Sequence, residues 1–174
     1  MTVIAGCTNG STWAIGADSG VFEGGDFDGD SDSGLYWQAD KPKVWRREHS
    51  LIGASGNSAV CELAESCPSG DPYKIAAFMK AREGSDSVVG KSWNVLVVRQ
   101  EAVYYIGEDC DVHKMKRGYM AKGAAGQIAL GALAVEYADI VDVKQAVRFA
   151  VKASIDNHIY AVGPVVVKVL HERD

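Results

Sequence analysis

Cysteine and proline are scarce in this chain, four of each in 174 residues, and Lys and Arg nowhere form a block. Each shortage excludes something. Cys7, Cys61, Cys67 and Cys110 show neither C-x-x-C spacing nor a paired zinc-ligand pattern, so they read as reduced thiols packed in an interior. A formal net charge of -5 without a basic patch argues against a nucleic-acid partner. No uncharged run has bilayer length; Gly123 to Val135 is too short and rich in Gly and Ala. Residues 1–17 carry no charge, yet they lack a basic n-region and are broken by Asn9-Gly10-Ser11, so they do not form a signal peptide. His49, His113, His158 and His171 share no spacing that suggests a common metal. No cofactor and no metal are expected, and a soluble, cytoplasmic chain is.

What remains is ordinary globular composition: 47% apolar and 24% charged. At roughly 150 residues per domain, one domain over 1–174 is predicted. Thr2 to Cys7 and Thr12 to Ala17 flank an Asn-Gly pair that tolerates the positive φ of a tight turn, which predicts a hairpin at the start of the chain. Gly20 to Gly34 is Gly, Ser and acid with almost nothing to bury, and reads as a surface loop. Lys43 to Arg47 and Ser50 to Ala54 resume as strands. Asn57 or Ser58 can cap a helix through Cys67, and Asp71-Pro72 opens a second that ends before Gly84. Trp93 to Arg99 and Ala102 to Ile106 are β-rich. Gly126 to Tyr137 is apolar nearly all round, as for a helix buried between layers. Asp142 caps another helix, and Pro164 to Leu170 closes as a strand. Strands and helices in pairs argue against a singly alternating parallel sheet and for an α+β fold. Two packed antiparallel sheets flanked by helix pairs, a four-layer αββα sandwich, accommodate the order.

Chemistry is concentrated at the start. Thr2 is small enough for the initiator Met to be removable. A hydroxyl is a weak nucleophile and needs a base, and a free α-amine on the same residue, with an ordinary pKa near 7.7–8.0, can serve. Ala17-Asp18-Ser19 ends the first hairpin, Lys43-Val44 follows on a strand, and Gly53-Ala54-Ser55-Gly56 leads into a helix. Gly123-Ala124-Ala125-Gly126 precedes the apolar helix, and Asp156 through Tyr160 lead to the closing strand. In this order the motifs resemble the proteasome β-subunit and HslV-type N-terminal-nucleophile (Ntn) hydrolases over nearly the whole chain. Length and Gly163-Pro164-Val165 suggest a small phage-encoded relative.

The resemblance implies an Ntn-type sandwich with Thr2 as nucleophile and Lys43 beside it, lowering the pKa of its amine or hydroxyl. It implies that Asp18 holds Lys43, that the Gly56 N–H forms an oxyanion hole, and that Asp156 supports the network. It also implies a threonine-type peptidase acting on peptides or unfolded protein within a homo-oligomeric ring, with an ATP-dependent unfoldase as partner. Two departures stand out. Ala124 occupies a position where the family commonly has serine, and the 20–34 loop is unusually long and acidic. They support an alternative: a catalytically inactive proteasome-like assembly protein, virion-associated if phage-encoded. Alternating carboxylates at Asp26, Asp28, Asp30 and Asp32 suggest calcium, but the EF-hand template fails at Ser33, and a solvated loop is the better reading.

Overall fold

The computed structural model describes residues 3–22, 35–37, 43–56, 58–82, 93–137, 142–159 and 161–172. Its strands are β1 (Val3–Thr8), β2 (Thr12–Ala17), β3 (Gly20–Phe22), β4 (Leu35–Trp37), β5 (Val44–Arg47), β6 (Ser50–Gly56), β7 (Trp93–Val98), β8 (Val103–Ile106), β9 (Val112–Lys114), β10 (Tyr119–Gly123) and β11 (Val166–His171). Its helices are α1 (Ser58–Ser66), α2 (Pro72–Lys80), α3 (Gly126–Glu136) and α4 (Val143–Asn157).

Local chemistry accounts for several boundaries. The first hairpin turns at Asn9-Gly10, where Gly10 takes φ +91° and the Asn9 side-chain oxygen accepts from the N–H groups of Ser11 and Thr12 at 3.2 and 2.9 Å. Asp71 accepts from the N–H groups of Tyr73 and Lys74 at the start of α2, and Asp142 does the same for Lys144 and Gln145 at α4. These are side-chain caps for donors a helix cannot satisfy within itself.

Two antiparallel sheets result, one ordered β10–β1–β2–β11 and the other β5–β6–β7–β8–β9. Three apolar layers hold them. Ile4, Ile15, Val44, Leu51, Leu96 and Val98 lie between the sheets. Val3, Ala5, Ala129, Leu133, Val147 and Val151 join the first sheet to α3 and α4. Ile52, Val60, Ile75, Met79 and Val97 join the second to α1 and α2. The architecture is therefore an α+β, four-layer αββα sandwich. Among the described residues no helix is long and apolar enough to cross a bilayer.

Three differences from the sequence reading are physical. The loop expected from Gly20 begins later, because Gly20–Phe22 pairs with Leu35–Trp37 in a two-stranded ribbon; residues 23–34, with the carboxylates considered for calcium, lie outside the described residues. β9 and β10 are strands that were not anticipated: β8 supplies the edge for one and β1 for the other. The helix over Gly126–Glu136, expected between layers, lies on the outside: Gly126, Ala129 and Leu133 are buried, whereas Val135 is 74% exposed.

The sheets approach closely where glycines face the gap. A Cβ at Gly6 would stand 2.4 Å from Val98 Cγ2, and one at Gly53 would stand 2.8 Å from Ile15 Cδ1. Gly6→Ala overpacks this layer and is expected to destabilise by about 1–3 kcal/mol. Chemical denaturation checks it, and a midpoint equal to wild type would count against so tight a contact.

Candidate active site

Asp18 follows β2 directly and is buried to 1% exposure. An isolated carboxylate there would be very unfavourable; it persists because donors converge on it. The Val3 N–H donates to Oδ1 at 2.9 Å, the Lys43 ammonium donates to the same oxygen at 3.2 Å, and the Val162 N–H donates to Oδ2 at 3.3 Å. The Asp18 backbone N–H in turn donates to the Val3 carbonyl at 3.3 Å. One residue therefore grips the first residue of β1 on both sides of its Cα, a buried cation, and the segment ahead of β11.

Lys43 lies at the entrance to β5, with its side chain 12% exposed. Its ammonium also donates to the Gly20 carbonyl. Burial lowers its pKa from the usual lysine range, and Asp18 offsets part of that fall by Coulomb attraction and hydrogen bonding. Gly20 lacks a side chain for a visible reason: a Cβ would sit 2.4 Å from Val162 Cγ2 and 3.3 Å from Asp18 Oδ2. The Gly20 N–H donates to the Val162 carbonyl at 3.0 Å, so Gly20, Val162 and Asp18 form one closed cluster.

Cys61, on α1 and packed against the helix-side core, belongs to the same electrostatic neighbourhood. Burial pushes its thiol up to about 11, and the Lys43 charge pulls against that rise. It is thus a protonated thiol at neutral pH, not a ready nucleophile.

No family model matches the chain, and no curated protein matches it in sequence. Solved structures do match. BPH from Thiobacillus denitrificans in complex with epoxomicin superposes with a TM-score of 0.77 at 18% identity, covering 98% of each chain. A further BPH structure gives 0.76 at 17% identity over 98% of each chain. Eukaryotic HslV from Trypanosoma brucei gives 0.75 at 19% identity, covering 98% of this chain and all of that one. The fold is that of HslV and BPH.

Within that HslV-type fold, only some of the residues singled out from the sequence are brought together. Asp18 and Lys43 meet directly, as described. Thr2 lies outside the described residues, one position ahead of the Val3 that Asp18 holds. Gly56 ends β6 opposite Trp93, at φ +130°, a conformation that L side chains rarely adopt; Ser55 before it is buried. Asp156 is apart in its bonding: on the exposed last turn of α4 it pairs with Lys152 at 2.8 and 3.0 Å, and none of its hydrogen bonds reaches Asp18 or Lys43. Ala124 is exposed in the turn between β10 and α3. That turn is tied by Ser154, whose hydroxyl donates to the Ala125 carbonyl at 3.1 Å.

The backbone partners of Asp18 and Lys43 have no side-chain signature in the sequence. Val3, Gly20 and Val162 contribute amides and carbonyls, and any residue type supplies those.

Proposed function

We propose that the protein is a threonine-type peptidase that hydrolyses peptide bonds through an acyl-enzyme ester on Thr2, within an HslV-like homo-oligomer. The observation that carries this reading is the Asp18 carboxylate holding the Val3 N–H and the Lys43 ammonium on one oxygen. The Val3 N–H and a buried cation thus share one carboxylate oxygen, and such a cation favours the deprotonated form of an amine or hydroxyl brought near it. With Met1 removed, the Thr2 amine accepts the proton of its own hydroxyl as the oxygen attacks the scissile carbonyl. The same proton is then available to the leaving amine, and water hydrolyses the ester. The Gly56 N–H stands as the candidate donor to the oxyanion. Asp156, paired with Lys152, supports the site through α4 and not by contact with the pair. Peptides or unfolded proteins are the substrate class, with an ATP-driven unfoldase as the partner in a cytoplasmic setting.

A second reading is favoured by Ala124, which provides no donor or acceptor beside the start of the chain. Here the sandwich is an assembly subunit, in a virion or elsewhere, and does no chemistry. One experiment separates the two. Intact mass is measured before and after incubation with a peptide epoxyketone, whose adjacent electrophilic carbons suit a residue bearing both hydroxyl and amine. Loss of Met1 and a single adduct mapped to Thr2 supports the peptidase. Retained Met1 without an adduct leaves the assembly role.

A further inference from the structure

In the four-stranded sheet β1 lies between β2 and β10. Asp18 and Lys43 occupy its β2 flank. On the other flank Val3 pairs with Gly123 and Ile4 with Lys122. Antiparallel partners share a face, and Ile4 faces the space between the sheets, so Lys122 enters that same space next to the start of β1.

The second sheet is built to receive it. The Lys122 ammonium stands 4.0 Å from the centroid of the Tyr105 ring, which packs against the inter-sheet core. The Tyr105 hydroxyl donates to Asn94 Oδ1 at 3.2 Å, and the Asn94 amide donates to Ser55 Oγ at 3.4 Å. Ser55 is buried and immediately precedes Gly56. Gly107 leaves room for the ring: a Cβ there would come within 2.6 Å of the Tyr105 hydroxyl. His113 stacks on the same ring, centroids 5.8 Å apart. A polar path thus runs from the glycine turn on one sheet to a half-buried cation on the other. Among the described residues no carboxylate pairs with that cation.

An ammonium held over an aromatic face keeps its N–H donors for another acceptor. Half-buried, it interacts with an anion in a medium less screening than bulk water. We propose that Lys122 is a specificity-determining residue, taking the carboxylate of a bound peptide on the β10 flank of the site, with Tyr105 and Asn94 as its positioning residues. The inference rests on the reading of this site as one that binds peptides for hydrolysis.

The test uses the full chain carrying Thr2→Ala, so that binding is read without turnover. Fluorescence anisotropy compares three labelled peptide sets on one short neutral frame: a single Glu scanned through an amidated peptide, the matching Gln set, and the Gln set with a free C-terminal carboxylate. A charge-assisted contact predicts about tenfold tighter binding of an anionic peptide than of its Gln counterpart. The scanned set and the free-terminus set tell an acidic side chain from a terminal carboxylate. Adding Lys122→Met brings the ratio close to one, Lys122→Arg retains most of it, and Tyr105→Leu, which removes the ring under the cation, lowers it. Thermal melts confirm that each variant is folded. Equal binding of all three sets, absence of binding, or a ratio that survives Lys122→Met overturns the proposal. If anionic peptides are preferred but the wild-type chain cleaves none of them, recognition by Lys122 stands and the hydrolytic reading falls.

Discussion

Thr2→Ala is expected to reduce hydrolysis of small peptide substrates by at least about 10⁴-fold, the order of loss seen when a covalent nucleophile is deleted, while thermal stability stays within about 0.5 kcal/mol of wild type. The two halves of this expectation have separate origins. The hydroxyl is proposed to form the bond to the acyl carbon, and no other group described near Lys43 can take its place; the nearby Cys61 thiol, at about 11, is protonated at neutral pH. The fold does not depend on the threonine side chain, because the hydrogen bonds that anchor the strand are made by the Val3 backbone. Fluorogenic peptide turnover and a melting curve on the same preparation suffice. Turnover equal to wild type would remove Thr2 from the mechanism. Lys43→Ala is expected to lose activity nearly as completely, since the cation that favours the deprotonated amine is then gone.

The second large effect is structural. Asp18→Ala strands the Lys43 ammonium in a site where only 12% of its side chain meets solvent and leaves the Val3 and Val162 N–H groups without their acceptor. Removing one partner of a buried ion pair costs about 3–5 kcal/mol, a large share of the 5–15 kcal/mol that holds an ordinary domain together. The pH dependence follows from the direction of the Lys43 shift. Its folded pKa is below the unfolded value of about 10.4, so between the two the unfolded chain binds more protons and stability rises with pH. Without Asp18 the pull that partly restores the lysine is lost, the folded pKa falls further, and the rise begins at lower pH and is larger. Urea denaturation of both proteins from neutral to alkaline pH measures this. A variant with wild-type stability and an unchanged pH slope would show that the pair is not coupled as described.

Sequence logic reached the elements whose signals are local. Asn9-Gly10, Asp71-Pro72 and Asp142 each fix a boundary through their own side chain or backbone freedom, and each is used that way. β9 and β10 escaped because nothing local distinguishes them: Tyr119-Met120-Ala121-Lys122-Gly123 mixes sizes and charge, and its extended form is decided by β1, more than a hundred residues away. The outward position of α3 was equally hidden, since small apolar residues on every side are compatible with burial on one face as well as on two. Asp18 and Lys43 are 25 residues apart, and only the resemblance brings them together in the sequence. The Ser55–Asn94–Tyr105–Lys122 path has no motif, being assembled from four strands of two sheets.

The placement of β11 has a practical consequence. Its last residues lie against the turn of the first hairpin, with Glu172 donating to the Ser11 carbonyl at 3.0 Å and His171 opposite Thr12. Val3, gripped by Asp18, is at the far end of the same sheet. A purification tag joined beyond Glu172 therefore departs from the edge remote from the Asp18 cluster. A tag joined upstream of Val3 would crowd that cluster, and under the proposed mechanism it would block the Thr2 amine and abolish turnover.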